Sequence, residues 1–173
     1  MGQDARLKDA LLRAVKTLGY TVVQPSGYDS LLEKVRREPV ELVLLEASGE
    51  GALPVALEIY SEALAPVVWF TRNWSEELVR QALEARVLGV VEIGEKVDVW
   101  AFEFAVGLAG MVFEERKALL KKVEELKEDL ETRKLVERAK GVLMDQFGLK
   151  DSEAYRRLQR QAMNTRKPLK EVA

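Results

Sequence analysis

The sequence predicts an α/β domain built on a parallel sheet, followed by a long coiled-coil helix and a small all-α tail. Three observations carry this. Up to about residue 97, stretches of helical periodicity alternate with short, nearly unbroken apolar runs, the pattern of a parallel sheet covered on both faces. Beyond that point the apolar runs vanish, proline is absent from 100 to 137, and Lys, Glu and Leu dominate. The final forty or so residues break into short helical pieces carrying a local excess of Arg and Lys.

Taken in order, Leu7, Leu11, Leu12, Val15 and Leu18 recur at helical spacing, which predicts a helix over 4–18 ended by Gly19. Residues 20–23 read as a short strand, and 28–37, with Leu31, Leu32 and Val35 on one face, as a second helix. Pro39 breaks it before a strand at 41–45. A helix at 54–63, a strand at 66–71, a helix at 75–84 and a strand at 89–93 complete a domain of 1–99. The next segment, 100–134, reads as a helical stalk. Val112, Leu119 and Leu126 fall on one heptad position and Val123 and Leu130 on the other, with Ala105 and Ala109 upstream and Arg116 interrupting. Such a seam serves either a homodimer or a helix lying on its own domain. Residues 135–173 form the tail, expected as helices at 133–147 and 152–165 and a short third piece from Pro168 that stops early. Gly148 ends the first, and Asp151 or Ser152 caps the second.

Composition narrows the chemistry. The 173 residues contain neither Cys nor His, which removes disulfides, the usual zinc sites and the Ser-His and Cys-His nucleophile pairs. No catalytic residue, cofactor or metal is expected, and the chain reads as a non-enzyme. No apolar run approaches the roughly 20 residues needed to cross a bilayer, so a cytoplasmic protein without a membrane partner is expected. The net charge of −2 conceals the basic tail.

In a parallel sheet, ligands sit beyond the carboxyl ends of the strands. Glu46, Thr71 and the residues after Ile93 share that address. The strand endings LLE, WFT and VVEIG, in this order of elements, resemble the receiver domain of bacterial response regulators over residues 4–106. The resemblance implies a phospho-acceptor Asp where Glu46 stands, a Thr or Ser matched by Thr71, a Lys where Glu92 or Ile93 stands, and metal-binding acids reduced to Asp4. Glutamate reaches about 1 Å further than aspartate, and in-line phosphoryl transfer tolerates such misplacement poorly. Glu92 adds a repelling charge where the lysine's countercharge is missing. A degenerate receiver that is not phosphorylated is therefore expected. A receiver's first strand is also missing. Either residues 20–23 pair directly with 40–45 in a rearranged or shrunken sheet, or the start chosen for this chain omits the strand.

The strings AKGVLM, GLKDSEAYRRL and AM…LKEVA, within residues 136–173, resemble the ANTAR domain, the RNA-binding helical module of transcription antiterminators. The resemblance implies RNA stem-loops in nascent transcripts as partner. From the residues themselves, Lys140, Tyr155, Arg156, Arg157, Arg160, Asn164, Arg166 and Lys167 are the candidate contacts, because RNA loops are held by phosphate contacts and by bases stacked on aromatic or guanidinium planes. Tyr155 is equally readable as core, and Lys140 as a plain surface lysine. Ala139, Val142, Leu143 and Met144 read as packing. The expected protein is a dimeric antitermination regulator with a possible sensory protein partner. A phosphorylation-switched response regulator and a protein-binding module without RNA binding are the alternatives.

Overall fold

The apolar runs become a three-stranded parallel sheet. In the computed structural model, which describes residues 2–49, 51–94 and 97–173 and only the backbone of 2–8 and 10, strands β1 (Val43–Glu46), β2 (Val67–Thr71) and β3 (Gly89–Glu92) lie in that order. Val43 is opposite Val67 and Glu46 opposite Phe70; Val68 is opposite Gly89 and Thr71 opposite Glu92. Successive side chains alternate between faces. Val43, Leu45, Val67 and Trp69 pack under helices α2 (Tyr28–Arg37), α3 (Ala52–Ser61) and α4 (Glu76–Glu84). Val68 and Val91 face Leu11 and Val15 of α1 (Gly2–Thr17) and Phe102, Val106 and Ala109 of α5 (Val99–Phe147).

Local chemistry sets the helix ends. The Ser75 hydroxyl accepts the Leu78 N–H at 3.1 Å, capping α4. Asp98 Oδ1 accepts the Trp100 and Ala101 N–H groups at 3.0 and 3.1 Å, starting α5. Gly51 precedes α3 at φ 93°, a left-handed conformation that glycine adopts without steric cost.

Three expectations change. Residues 20–23 form no strand and pair with nothing in the sheet: Tyr20 and Val23 are exposed, and only Val22 reaches the α1 face. With only Val22 half-buried, that segment gains too little to order a ladder, and the described sheet has three strands. The stalk and the first tail helix are one helix, α5, because no breaker separates Arg133 from the residues before it. Finally, the upstream half of the heptad stripe points inward. Ala109 is fully buried and Ala105 packs beside it, while the Arg116 guanidinium lies 3.8 Å from the Tyr60 ring centroid. Arg116 breaks the seam because it is turned back onto α3.

By its contacts the chain divides into two units, residues 1–117 and 118–173. In the second, the α5 side chains Leu119, Val123, Leu126 and Leu130 are all exposed, Leu126 at 56%; Val112, near the end of the first unit, is exposed to a lesser degree. After Gly148, α6 (Asp151–Thr165) and α7 (Leu169–Val172) follow. Val136, Ala154 and Leu158 are the buried apolar residues described in this unit. Ala139 and Leu143 are half-buried as expected of packing residues, whereas Val142 and Met144 are exposed. The inward line of α5 runs through Val136, Lys140 and Leu143, and Val142 falls off it at helical spacing, whereas Met144, one turn beyond Lys140, is exposed near the helix end.

Candidate nucleic-acid interface

Gly148, at φ 62°, closes α5 with its N–H on the Met144 carbonyl at 2.9 Å, freeing the chain to turn. The cap of α6 is Lys150 rather than Asp151 or Ser152. Its N–H donates to Glu153 Oε2 at 3.0 Å, and Asp151 moves into the first turn. Ala154 and Leu158 bury one face of α6, so Arg156, Arg157, Arg160 and Asn164 are left on the other.

These four residues line one open groove of about 510 Å³ together with Leu149, Glu153 and Gln161. Three guanidinium groups stand there against one carboxylate. The Arg157 guanidinium lies 4.5 Å from the centroid of Phe147, an exposed ring. A planar cation over an aromatic face is a preformed stacking platform. Phe147, Leu149 and Gln161 were not singled out from sequence. Gln161 lies four residues beyond Arg157 and shares its face, a spacing that was available; the Phe147 contact spans a turn that local periodicity does not reach.

The remaining candidates lie elsewhere. Tyr155 is 38% exposed and lines a separate groove of about 350 Å³ with Asp129, Thr132, Arg133, Val136, Glu137 and Leu169. It does not join the arginines. Arg166 sits at the left-handed C-cap of α6, φ 53°, and the Lys167 ammonium is 3.9 Å from Glu171. Lys140 is turned inward: 9% exposed, it donates to Glu137 Oε1 at 3.0 Å and meets Asp151 Oδ1 at 2.5 Å. Asp151 first, then Glu137, holds its ammonium above the ordinary lysine pKa.

At the sheet, Glu46, Thr71 and Glu92 end the three strands. Glu46 is exposed and accepts the Ser48 hydroxyl at 3.2 Å. The Thr71 hydroxyl donates to the Asn73 carbonyl at 2.9 Å. Tyr28 packs on the loop after β1, where a Cβ at Gly49 would collide with its hydroxyl. Burial, then the Glu46 charge, raises the pKa of that phenol. Asp4 lies in helix α1 rather than at a strand end, and its side chain is outside the described residues.

A sheet with a receiver's strand-end address, continued into helices that carry a basic groove, has the build of a response regulator with an RNA-module tail. The ANTAR domain family model matches residues 124–173, which include the whole groove. Over 98% of its length the chain is 31% identical to the transcriptional regulatory protein PdtaR of Mycobacterium tuberculosis, in strains CDC 1551 and H37Rv alike, and the match spans 83% of that protein. The chain belongs to this family of ANTAR response regulators. Among solved structures, a yeast Spc42 trimeric coiled-coil segment fused to another structure matches with a TM-score of 0.54 at 21% identity, over 72% of this chain and 86% of that one, a likeness of fold alone. No helix among the described residues is long and apolar enough to cross a membrane.

Proposed function

We propose that the chain is an RNA-binding transcription antitermination regulator whose tail holds stem-loops of nascent transcripts through the α6 groove. The observation that carries this is the gathering of Arg156, Arg157, Arg160 and Asn164 on one exposed face within the ANTAR-matched residues. Phosphates are contacted by the guanidinium groups and an unstacked base lies beside the Arg157–Phe147 platform. Arg166 and Lys167, at the far end of α6, add contacts along the backbone. Tyr155, in its separate groove, takes part only if the RNA reaches round the helix.

The receiver-like part, residues 1–99, works in this reading as a scaffold that is not phosphorylated. Glu46 is the wrong length for acceptor chemistry, Glu92 stands where a countercharge is needed, and the Thr71 hydroxyl is held in its own turn. The stalk, 100–134, pairs two copies through Val112, Leu119, Val123, Leu126 and Leu130, so that two tails, 135–173, grip two hairpins; linking the sites raises their effective concentration without new contacts. A sensory protein partner acting on the receiver-like part supplies the signal, in the cytoplasm. The protein has no enzymatic step. A gel-shift series with tandem stem-loop RNAs tests the reading: retention at low salt that weakens with added salt is expected, and no retention at low salt overturns it. Intact mass after treatment with a small phosphodonor and Mg²⁺ tests the scaffold role, and an added phosphate would return the protein to the switched response regulators.

A further inference from the structure

Lys140 carries a basic side chain in an RNA-binding module, yet its charge is spent on two carboxylates of the same unit. Its ammonium lies 3.0 and 3.1 Å from the two Glu137 oxygens and 2.5 Å from Asp151 Oδ1. Glu137 is one turn back on the same helix, so that pair holds the side chain along α5. Asp151 is different. It is the first residue of α6, beyond the Gly148 turn, and the bond ties the end of one helix to the start of the next.

The Arg157–Phe147 contact also spans the turn, but on an exposed ring. The buried apolar residues of this unit are Val136, Ala154 and Leu158, and Lys140 lies among them at 9% exposure. With so thin a core, rotation of α6 about its axis is held by few contacts, and a rotation of one residue's step, about 100°, would turn the arginine face away from Leu149 and take Arg157 off the Phe147 ring. The lysine stem is covered while both carboxylates stay largely in solvent, and an ion pair of defined geometry is suited to fixing one arrangement among several of similar packing.

We infer that Lys140 is a positioning residue: through Asp151 it locks the first turn of α6 and so aims the arginine face, without itself touching RNA. This rests on the RNA-binding reading above. Two carboxylates already neutralise the ammonium, so a phosphate could reach it only by displacing them.

The decisive variant is Asp151→Asn, because the two roles for Lys140 predict opposite signs. If Lys140 contacts phosphate, removing a neighbouring negative charge frees it and tightens RNA binding. If it positions α6, Asp151→Asn weakens binding roughly threefold to thirtyfold, Lys140→Gln does the same, and the double variant is no worse than either single. The salt slope of binding separates them again: loss of a phosphate contact lowers it by about 1, whereas loss of a positioning residue leaves it unchanged. Lys140→Arg, which keeps a cation for Asp151, should recover most of the affinity. Amide exchange over 151–158, measured without RNA, should accelerate in both single variants and be restored by Lys140→Arg.

Unchanged exchange in both singles overturns the lock, as does tighter RNA binding by Asp151→Asn or a slope reduced by about 1 in Lys140→Gln. If the wild type retains no RNA at low salt, the RNA reading fails by itself, and the exchange data still decide whether the lock exists.

Discussion

Replacing Arg160 with Gln removes one of three guanidinium groups from the α6 groove while keeping a side chain that does not enter the core, since Arg160 is exposed and Leu158 and Ala154 bury the opposite face. Each phosphate neutralised contributes about 0.7 to 0.9 to the slope of log affinity against log salt. With Arg156, Arg157 and Arg160 all engaged on a single stem-loop, the slope is about −2.1 to −2.7, and affinity falls roughly 20- to 40-fold between 50 and 200 mM salt. Arg160→Gln should reduce that fall to roughly 7- to 12-fold. Fluorescence anisotropy with one labelled stem-loop, titrated at four salt concentrations, reads the slope directly. Arg157→Lys is the companion: the charge stays and the slope with it, but the planar contact with Phe147 is lost and affinity drops at every salt concentration. A wild-type affinity indifferent to salt, or an Arg160→Gln slope equal to the wild type's, would refute the assignment of these arginines to phosphate.

Three other outcomes follow from the packing and the ion pairs. Trp69, 0% exposed between the sheet and its helices, should cost about 3–5 kcal/mol when replaced by Ala, read from chemical denaturation of the full chain. Leu126→Asp places a charge in the middle of the stalk seam; analytical ultracentrifugation should show the wild type as a dimer and the variant as a monomer, and identical monomeric profiles would remove the dimer. Arg36 donates to Glu62 at 2.9 Å and also pairs with Glu58, and the hydrogen bond from Arg36 holds the Glu62 pKa below its ordinary value. A depressed carboxylate pKa stabilises the fold above the unfolded value, about 4.3, and that contribution is lost as pH falls through the folded value. The pairs are exposed and screened, so the effect is small. Thermal melts between pH 7 and pH 3 should converge for the wild type and Arg36→Gln at the acid end, and a difference that grows towards low pH would contradict the sign.

The α/β alternation was legible because it is local. Helix α2 lies over 28–37 as its periodicity predicts, and Ser75 caps α4 where the apolar stripe begins. What local pattern could not convey was partnership. Residues 20–23 have the composition of a strand, but they pair with neither edge of the sheet and only Val22 finds apolar cover. Ala105 and Ala109 continue a heptad on paper and a domain core in space. In the tail the arginines stood out by their local excess of charge, and the fold sets three of them with Asn164 along one groove. Tyr155 was drawn to them by nearness in sequence, although one residue's step about the axis carries it to another groove. Lys140 stood out as a cation next to a glycine. Only the fold shows that its charge is spent on Asp151 across the turn.

On the proposed function, RNA lies on the Arg156–Arg157–Arg160 face of α6. Ultraviolet crosslinking of the full chain to a tandem stem-loop RNA, with the adducts located by mass spectrometry, tests it most directly. Adducts on residues 147–164, lost in the Arg156, Arg157 and Arg160 triple glutamine variant, are expected. Adducts confined to residues 1–117, or an unchanged pattern in the triple variant, would contradict it.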